Sequence, residues 1–224
     1  MKKKILSIIL PSRGRYEMLK NTLNNISETF KNHKDDVEVV VRLDTDDYNS
    51  HQILSDKFDF DIKFIIDDRL TGYASLPTFL NQGYKLSNSY FITFLNDDIR
   101  ILNHHNLIEN LRKVKHIVSI SNDSPTSCFP IIHHKIIDLS DGFNPEVIYT
   151  DGHYNAVKQF LPSTNQFNFL IDIEHPVVTG GDHYEQRNID LENHKKNLEF
   201  FDGNYFVTKD VNRINEYFEK YGNL

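Results

Sequence analysis

Two neighbouring carboxylates, Asp97 and Asp98, follow the apolar run Tyr90–Leu95 and the polar Asn96. Charges at the end of such a run are costly to bury unless a cation meets them. Their oxygens suit Mg2+ or Mn2+, hard ions that bridge one or two carboxylates to the phosphates of a substrate. A solvated strand-to-loop turn, which Asn and Asp form readily, is the competing explanation. A second group, Ser12-Arg13-Gly14-Arg15, lies between Pro11 and a helical stretch. Forked guanidinium donors suit phosphate oxygens, and a following helix N-terminus adds a favourable dipole. Exposed arginines in an ordinary turn account for the same four residues. The segment has neither the lysine and glycine spacing of a P-loop nor a G-x-G-x-x-G fingerprint.

The runs around these groups predict how they are positioned. Ile5–Leu10 is almost continuously apolar, as a strand buried on both faces would be. Tyr16–Phe30 carries Met18, Leu19, Leu23, Ile26 and Phe30 at helical spacing. Further strands are predicted over Val37–Leu43, Ile62–Ile66 and Tyr90–Leu95. A helix with Pro77 near its first position runs to Leu86. Alternating strands and helices specify an α/β layered, parallel sheet, and such sheets bind ligands beyond the carboxyl ends of their strands. The polar clusters fall at those ends: residues 12–15, Asp44 with its acidic turn, Asp67-Asp68-Arg69, and Asn96-Asp97-Asp98. Four strand ends should therefore share one rim bearing carboxylates and arginines.

The second half is less regular. Strands are expected over His116–Ser121 and Phe167–Ile173, with Phe129–Ile132 following a polar loop. Helices are expected over Asp151–Phe160, about residues 184–201, and Asp210–Tyr221. His133 and His134 should point to opposite faces of a strand, which argues against a joint metal site. No repeat or linker is visible, so one domain over residues 1–224 is expected.

Composition narrows the class. The 224 residues are 39% apolar and 25% charged, with 16 Phe and 11 Tyr, enough for a packed core. Lys and Arg number 25 against 32 Asp and Glu, a formal charge of −7, which argues against nucleic acid as a partner. The single Cys128 excludes an internal disulfide framework and a cysteine-rich zinc site, and its apolar neighbourhood suggests a small packed residue. No apolar run approaches the roughly 20 residues of a membrane span. The basic start Met1-Lys2-Lys3-Lys4 precedes too short an apolar run for a signal peptide. A soluble, cytoplasmic protein without an integral membrane span is expected. No G-x-S-x-G elbow, H-E-x-x-H helix or protein-kinase set is present.

The segment from Ile5 through Pro11-Ser12-Arg13-Gly14-Arg15 resembles the opening of family-2 glycosyltransferases of the GT-A fold. Asp44 matches the family position whose carboxylate contacts the nucleotide base. Asn81-Gln82-Gly83-Tyr84 and then Tyr90 to Asp98 resemble the family's approach to its Asp-x-Asp motif. The resemblance implies a GT-A (Rossmann-like), mostly parallel central sheet flanked by helices. It also implies a nucleoside-diphosphate sugar donor, held in the half up to about residue 100 by Pro11, Ser12, Arg13, Arg15, Asp44, Asp67, Arg69, Asn81, Asn96 and Asp97. Asp98 inherits the metal position, with Mn2+ or Mg2+ as cofactor. Asn96 stands where the family has an acid, which weakens the site's negative charge.

From about residue 101 onward the resemblance points to an acceptor side. Gly142-Phe143-Asn144-Pro145 and Tyr149-Thr150-Asp151 are similar to a segment whose acid is the catalytic base, which makes Asp151 the candidate, with Asp182 and Glu146 in reserve. Asp151 fits equally as a helix N-cap. Ile173-Glu174-His175-Pro176 looks like a late segment of related transferases in which a histidine returns to the metal, so His175 is a candidate ligand and His183 a weaker one. A packing role before proline is the alternative for His175. The family's processive members carry a Gln-x-x-Arg-Trp motif; this chain has no Trp, so one sugar per encounter is expected, and the resemblance implies inversion at the anomeric carbon. The acceptor, whether glycan, lipid-linked glycan, protein or small molecule, is not legible. Two other readings remain: a sugar nucleotidyltransferase, and a nucleotide-sugar-binding module without chemistry.

Overall fold

The computed structural model describes residues 3–70, 75–113, 118–120, 129–143, 150–161, 167–169, 171–174 and 203–221. Apolar residues in unbroken runs form the strands β1 (Lys4–Pro11) and β2 (Val37–Asp44). All eight positions of β2 are buried, including Glu38, Arg42 and Asp44. Helix α1 (Tyr16–Thr29) connects them and turns Leu19, Leu23 and Ile26 inward. Next come β3 (Asp61–Asp67), α2 (Ser75–Leu86) and β4 (Ser89–Phe94). Pro77 is the third residue of α2, within the first turn, where a backbone N–H has no helical partner.

These four strands are parallel, in the order β3-β2-β1-β4. Their register brings Asp44 beside Asp67 and Pro11 beside Arg42, so the carboxyl ends do share one rim. The mostly parallel α/β sheet expected from the sequence is present. A fifth strand, β7 (Ile132–His133), closes the edge antiparallel to β4. Before it lie β5 (Arg100–Asn103), α3 (Leu107–Lys113) and β6 (Val118–Ile120). After it come α4 (His134–Leu139), α5 (Thr150–Phe160), β8 (Phe167–Phe169), β9 (Asp172–Glu174) and α6 (Gly203–Tyr221).

Successive strand residues face opposite sides. Leu6, Ile8 and Leu10 join a core with α1 and α3, whereas Ile9, Ile92 and Phe94 join a second core with residues of α2, α4, α5 and α6. Gly83 lets α2 lie close on the sheet, since a Cβ there would stand 2.5 Å from Ile9 Cγ2. No helix among the described residues is long and apolar enough to cross a membrane.

Three expectations are corrected. Phe167–Ile173 is not one strand: β8 pairs parallel with β6, while β9 pairs antiparallel with β5, so the chain changes partner within the segment. His133 and His134 do not sit on opposite faces of a strand. The strand stops at His133, whose Nδ1 accepts from the Lys135 backbone N–H and opens α4, leaving the two rings 4.7 Å apart. The last helix begins at Gly203, seven residues before Asp210. The helix expected over about 184–201, with Asp182, His183 and Cys128, lies outside the described residues.

Candidate active site at the carboxyl rim of the sheet

The loop after β1 is held by side chains from two neighbouring strand ends. Gly14 takes a positive φ of 69°, which turns its N–H onto Asp47 Oδ2 at 2.8 Å. Asp47 also accepts from the Ser50 backbone at 3.1 Å, and Asn49 Oδ1 accepts from the first N–H of α1, that of Tyr16, at 3.1 Å. Burial works against the Asp47 carboxylate, yet hydrogen bonds from Ser50 and from the Gly14 backbone outweigh it and hold its pKa below the usual range. The start of α1 is thus capped by the loop after β2.

With its backbone fixed, the loop deals its side chains to both neighbours. Arg13 reaches Asp44 at 2.8 Å and Asp46 at 2.5 Å and 3.1 Å. Ser12 donates to Asp97 Oδ2 at 2.6 Å. Arg15 Nη1 lies 3.2 Å from Asp97 Oδ1 and 3.3 Å from Asp98 Oδ2. Burial raises the pKa of Asp97, opposed by the Arg15 charge and the Ser12 hydroxyl. On the β2 side, Arg42 is 2% exposed and ion-pairs with Asp44. It also donates to the carbonyls of Asp67 and Asp68, and its guanidinium stacks 3.9 Å from the centroid of Phe79. Burial lowers its pKa.

Most of the residues singled out by sequence therefore meet. Pro11, Ser12, Arg13, Arg15, Asp44, Asp97 and Asp98 form one linked rim, with Asp67 beside Asp44 and the charge of Arg69 acting on Asp46. Asn96 is exposed at its edge. Asn81 behaves differently. Its amide donates to the Phe143 carbonyl at 2.7 Å and accepts from the Phe143 N–H at 2.8 Å, which ties α2 to the segment after α4. Asp151 is the second residue of α5, inside the helix, not ahead of it. His175 lies outside the described residues.

Sequence reasoning missed Arg42, Asp46, Asp47 and Gln82, which donates to Asp67 at 2.6 Å. An arginine inside the run Val37–Leu43, two residues before an acid, was the available signal. It also missed Thr22, whose buried hydroxyl donates to the carbonyls of Asp97 at 2.9 Å and Ile99 at 3.0 Å. Asn25 likewise both donates to and accepts from the Ile101 backbone, so α1 carries the acidic loop on its polar side chains.

The donor set fits Mg2+ or Mn2+ in kind. It supplies hard oxygens from adjacent carboxylates, a pair suited to an ion that keeps waters and substrate phosphates as its other ligands. Ser12 and Arg15 engage both oxygens of Asp97, and Arg15 also lies against Asp98 Oδ2. Among the described residues no group of three His, Cys, Asp or Glu could hold a metal by itself.

A parallel α/β sheet with a charged rim at the carboxyl ends of its strands is an architecture that binds ligands there, and the sequence family narrows the class. Residues 7–159 match glycosyl transferase family 2, and the chain belongs to that family. It is a glycosyltransferase, the first of the readings drawn from its sequence. No curated protein sequence matches. Among solved structures, the mannosyltransferase PcManGT from Pyrobaculum calidifontis, in complex with GDP-Man and Mn2+, aligns with a TM-score of 0.61 at 12% identity. That alignment covers 100% of this chain and 77% of that one. S. aureus TarS 1-349 in complex with UDP-GlcNAc aligns with a TM-score of 0.55 at 13% identity, covering 96% and 73%. These likenesses establish the GT-A fold.

Proposed function

We propose that this glycosyltransferase moves one sugar per encounter from a nucleoside-diphosphate donor to an acceptor hydroxyl, with inversion and with the help of a divalent cation. The observation that carries the proposal is the linked rim itself: the Ser12 and Arg15 side chains on Asp97 and Asp98, and Arg13 on Asp44, at the carboxyl ends of adjacent parallel strands. Asp44, oriented between Arg13 and Arg42, would receive the base. Arg13, Arg15 and Arg69 would face the diphosphate, where preorganised charge in a water-poor cleft stabilises a leaving group. The neighbouring complexes with GDP-Man and UDP-GlcNAc favour a donor of this class.

Asp98 would hold the cation, which supplies charge neutralisation on the departing diphosphate. His175 would complete the protein ligands. In support, β9 ends at Glu174 paired with Arg100, so the chain arrives next to the acidic loop just before His175. Asp151 would take the acceptor's proton, since a single displacement needs one base opposite the leaving group. One domain over residues 1–224 would hold both halves of the site.

A thermal-shift series with UDP, GDP, CDP and dTDP, with and without Mn2+, tests the reading. A ligand at 100 times its Kd should stabilise by about 2.7 kcal/mol. Asp98→Ala should lose the Mn2+-dependent part of that shift. Asp151→Ala should keep the shift and lose sugar transfer. Wild-type donor affinity and rate in Asp98→Ala would overturn the metal assignment.

A further inference from the structure

The acidic pair already has a cationic partner built into the fold. Arg15 Nη1 stands within 3.3 Å of a carboxylate oxygen of each of Asp97 and Asp98, and its side chain is 22% exposed. That position is fixed from below. The Arg15 backbone N–H donates to the Ser50 hydroxyl at 3.3 Å, and its carbonyl accepts the Leu19 N–H at 2.9 Å, so the guanidinium leaves from the N-cap of α1. Ser12 holds Asp97 from the other side, and Thr22 holds the Asp97 carbonyl. A unit positive charge this near a carboxylate opposes the approach of a second cation, strongly so in a partly desolvated site.

We propose that Arg15 competes with the divalent cation for Asp97 and Asp98, and that a diphosphate resolves the competition by drawing the guanidinium onto its own oxygens. A forked guanidinium pairs as well with phosphate as with carboxylate, so the exchange conserves its hydrogen bonds. Metal and nucleotide binding are then coupled: each ligand removes an obstacle to the other, and by linkage the coupling is reciprocal. Arg15 meets the diphosphate in this scheme only on leaving the carboxylates, and the weak charge left by Asn96 makes the competition more severe. The inference rests on the metal reading above.

Free Mn2+ followed by its EPR signal during protein titration supplies the test. Without nucleotide, Arg15→Gln should bind Mn2+ about tenfold more tightly than the wild type, while Arg15→Lys, which keeps the charge, should stay near it. With UDP or GDP added, the wild type should tighten its grip on Mn2+ by a larger factor than Arg15→Gln does. Phenylglyoxal labelling of the wild type, read by peptide mass spectrometry, needs no variant: Mn2+ alone should speed modification of Arg15, and diphosphate should slow it. Equal or weaker Mn2+ binding by Arg15→Gln, or labelling indifferent to Mn2+, would overturn the competition while leaving the metal reading standing. If neither protein binds Mn2+ with either nucleotide, the metal reading itself falls and the competition falls with it.

Discussion

Arg42 is the side chain on which the β2 side of the rim depends. It is buried at 2% exposure, pairs with Asp44, and supplies donors to the carbonyls of Asp67 and Asp68 where β3 ends. Replacing one partner of a buried ion pair leaves the other charge poorly compensated, at a cost of about 3–5 kcal/mol. Arg13 also reaches Asp44, so Arg42→Met should cost less, about 2–3 kcal/mol, measured as a fall in the urea midpoint at unchanged slope. Binding of any nucleoside diphosphate should weaken in the same variant, because Asp44 and the Asp67-Asp68 carbonyls lose a common anchor. The sequence made Asp44 conspicuous and left Arg42 unnoticed. A charged residue in an apolar strand has no visible partner until the neighbouring strand is laid beside it in register.

At the scale of the elements, α2 packs closely on β1 through Gly83 and Ile9. A methyl group at residue 83 would lie 2.5 Å from Ile9 Cγ2, a methyl on the branched Cβ of a fully buried side chain with little freedom to move. Overpacking of this kind costs about 1–3 kcal/mol, against a helix-propensity gain of about 1 kcal/mol for Gly to Ala. Gly83→Ala should therefore be destabilising by about 1 kcal/mol. In an Ile9→Ala background the same change should become neutral or favourable, and a double-mutant cycle of thermal midpoints measures the difference. Both flanking strands were readable from their apolar runs, and the helix from Pro77, to within a residue or two. The glycine's purpose was not, since it depends on the distance between a helix and a sheet.

For the molecule as a whole, the second core is closed by α6, whose Val207, Val211 and Ile214 pack on residues of α2, α4 and α5. The clasp is polar: His153 of α5 lies 2.9 Å from Asp210 of α6, with side chains 5% and 6% exposed, and Arg213 pairs with Asp141. His153→Ala leaves the Asp210 carboxylate buried without that partner, a loss of about 1–3 kcal/mol. Amide exchange should rise first in α6 and leave β1 and β2 protected, because each face of the sheet has its own core. Uniform loss of protection across the chain would mean that the two cores unfold as one.

The parallel α/β class, the four strand ends and the acidic, arginine-bearing rim were all legible in the chain, because apolar periodicity and strand-end polarity are local properties. Which arginine meets which carboxylate was not. Arg13 and Arg15 are two residues apart, yet one turns to Asp44 and the other to Asp97 and Asp98, a division made by the Gly14 turn and by the strands standing on either side of β1. The split of Phe167–Ile173 between two small sheets has the same origin. Pairing joins residues far apart along the chain, and its outcome rests on register and packing that no single segment contains.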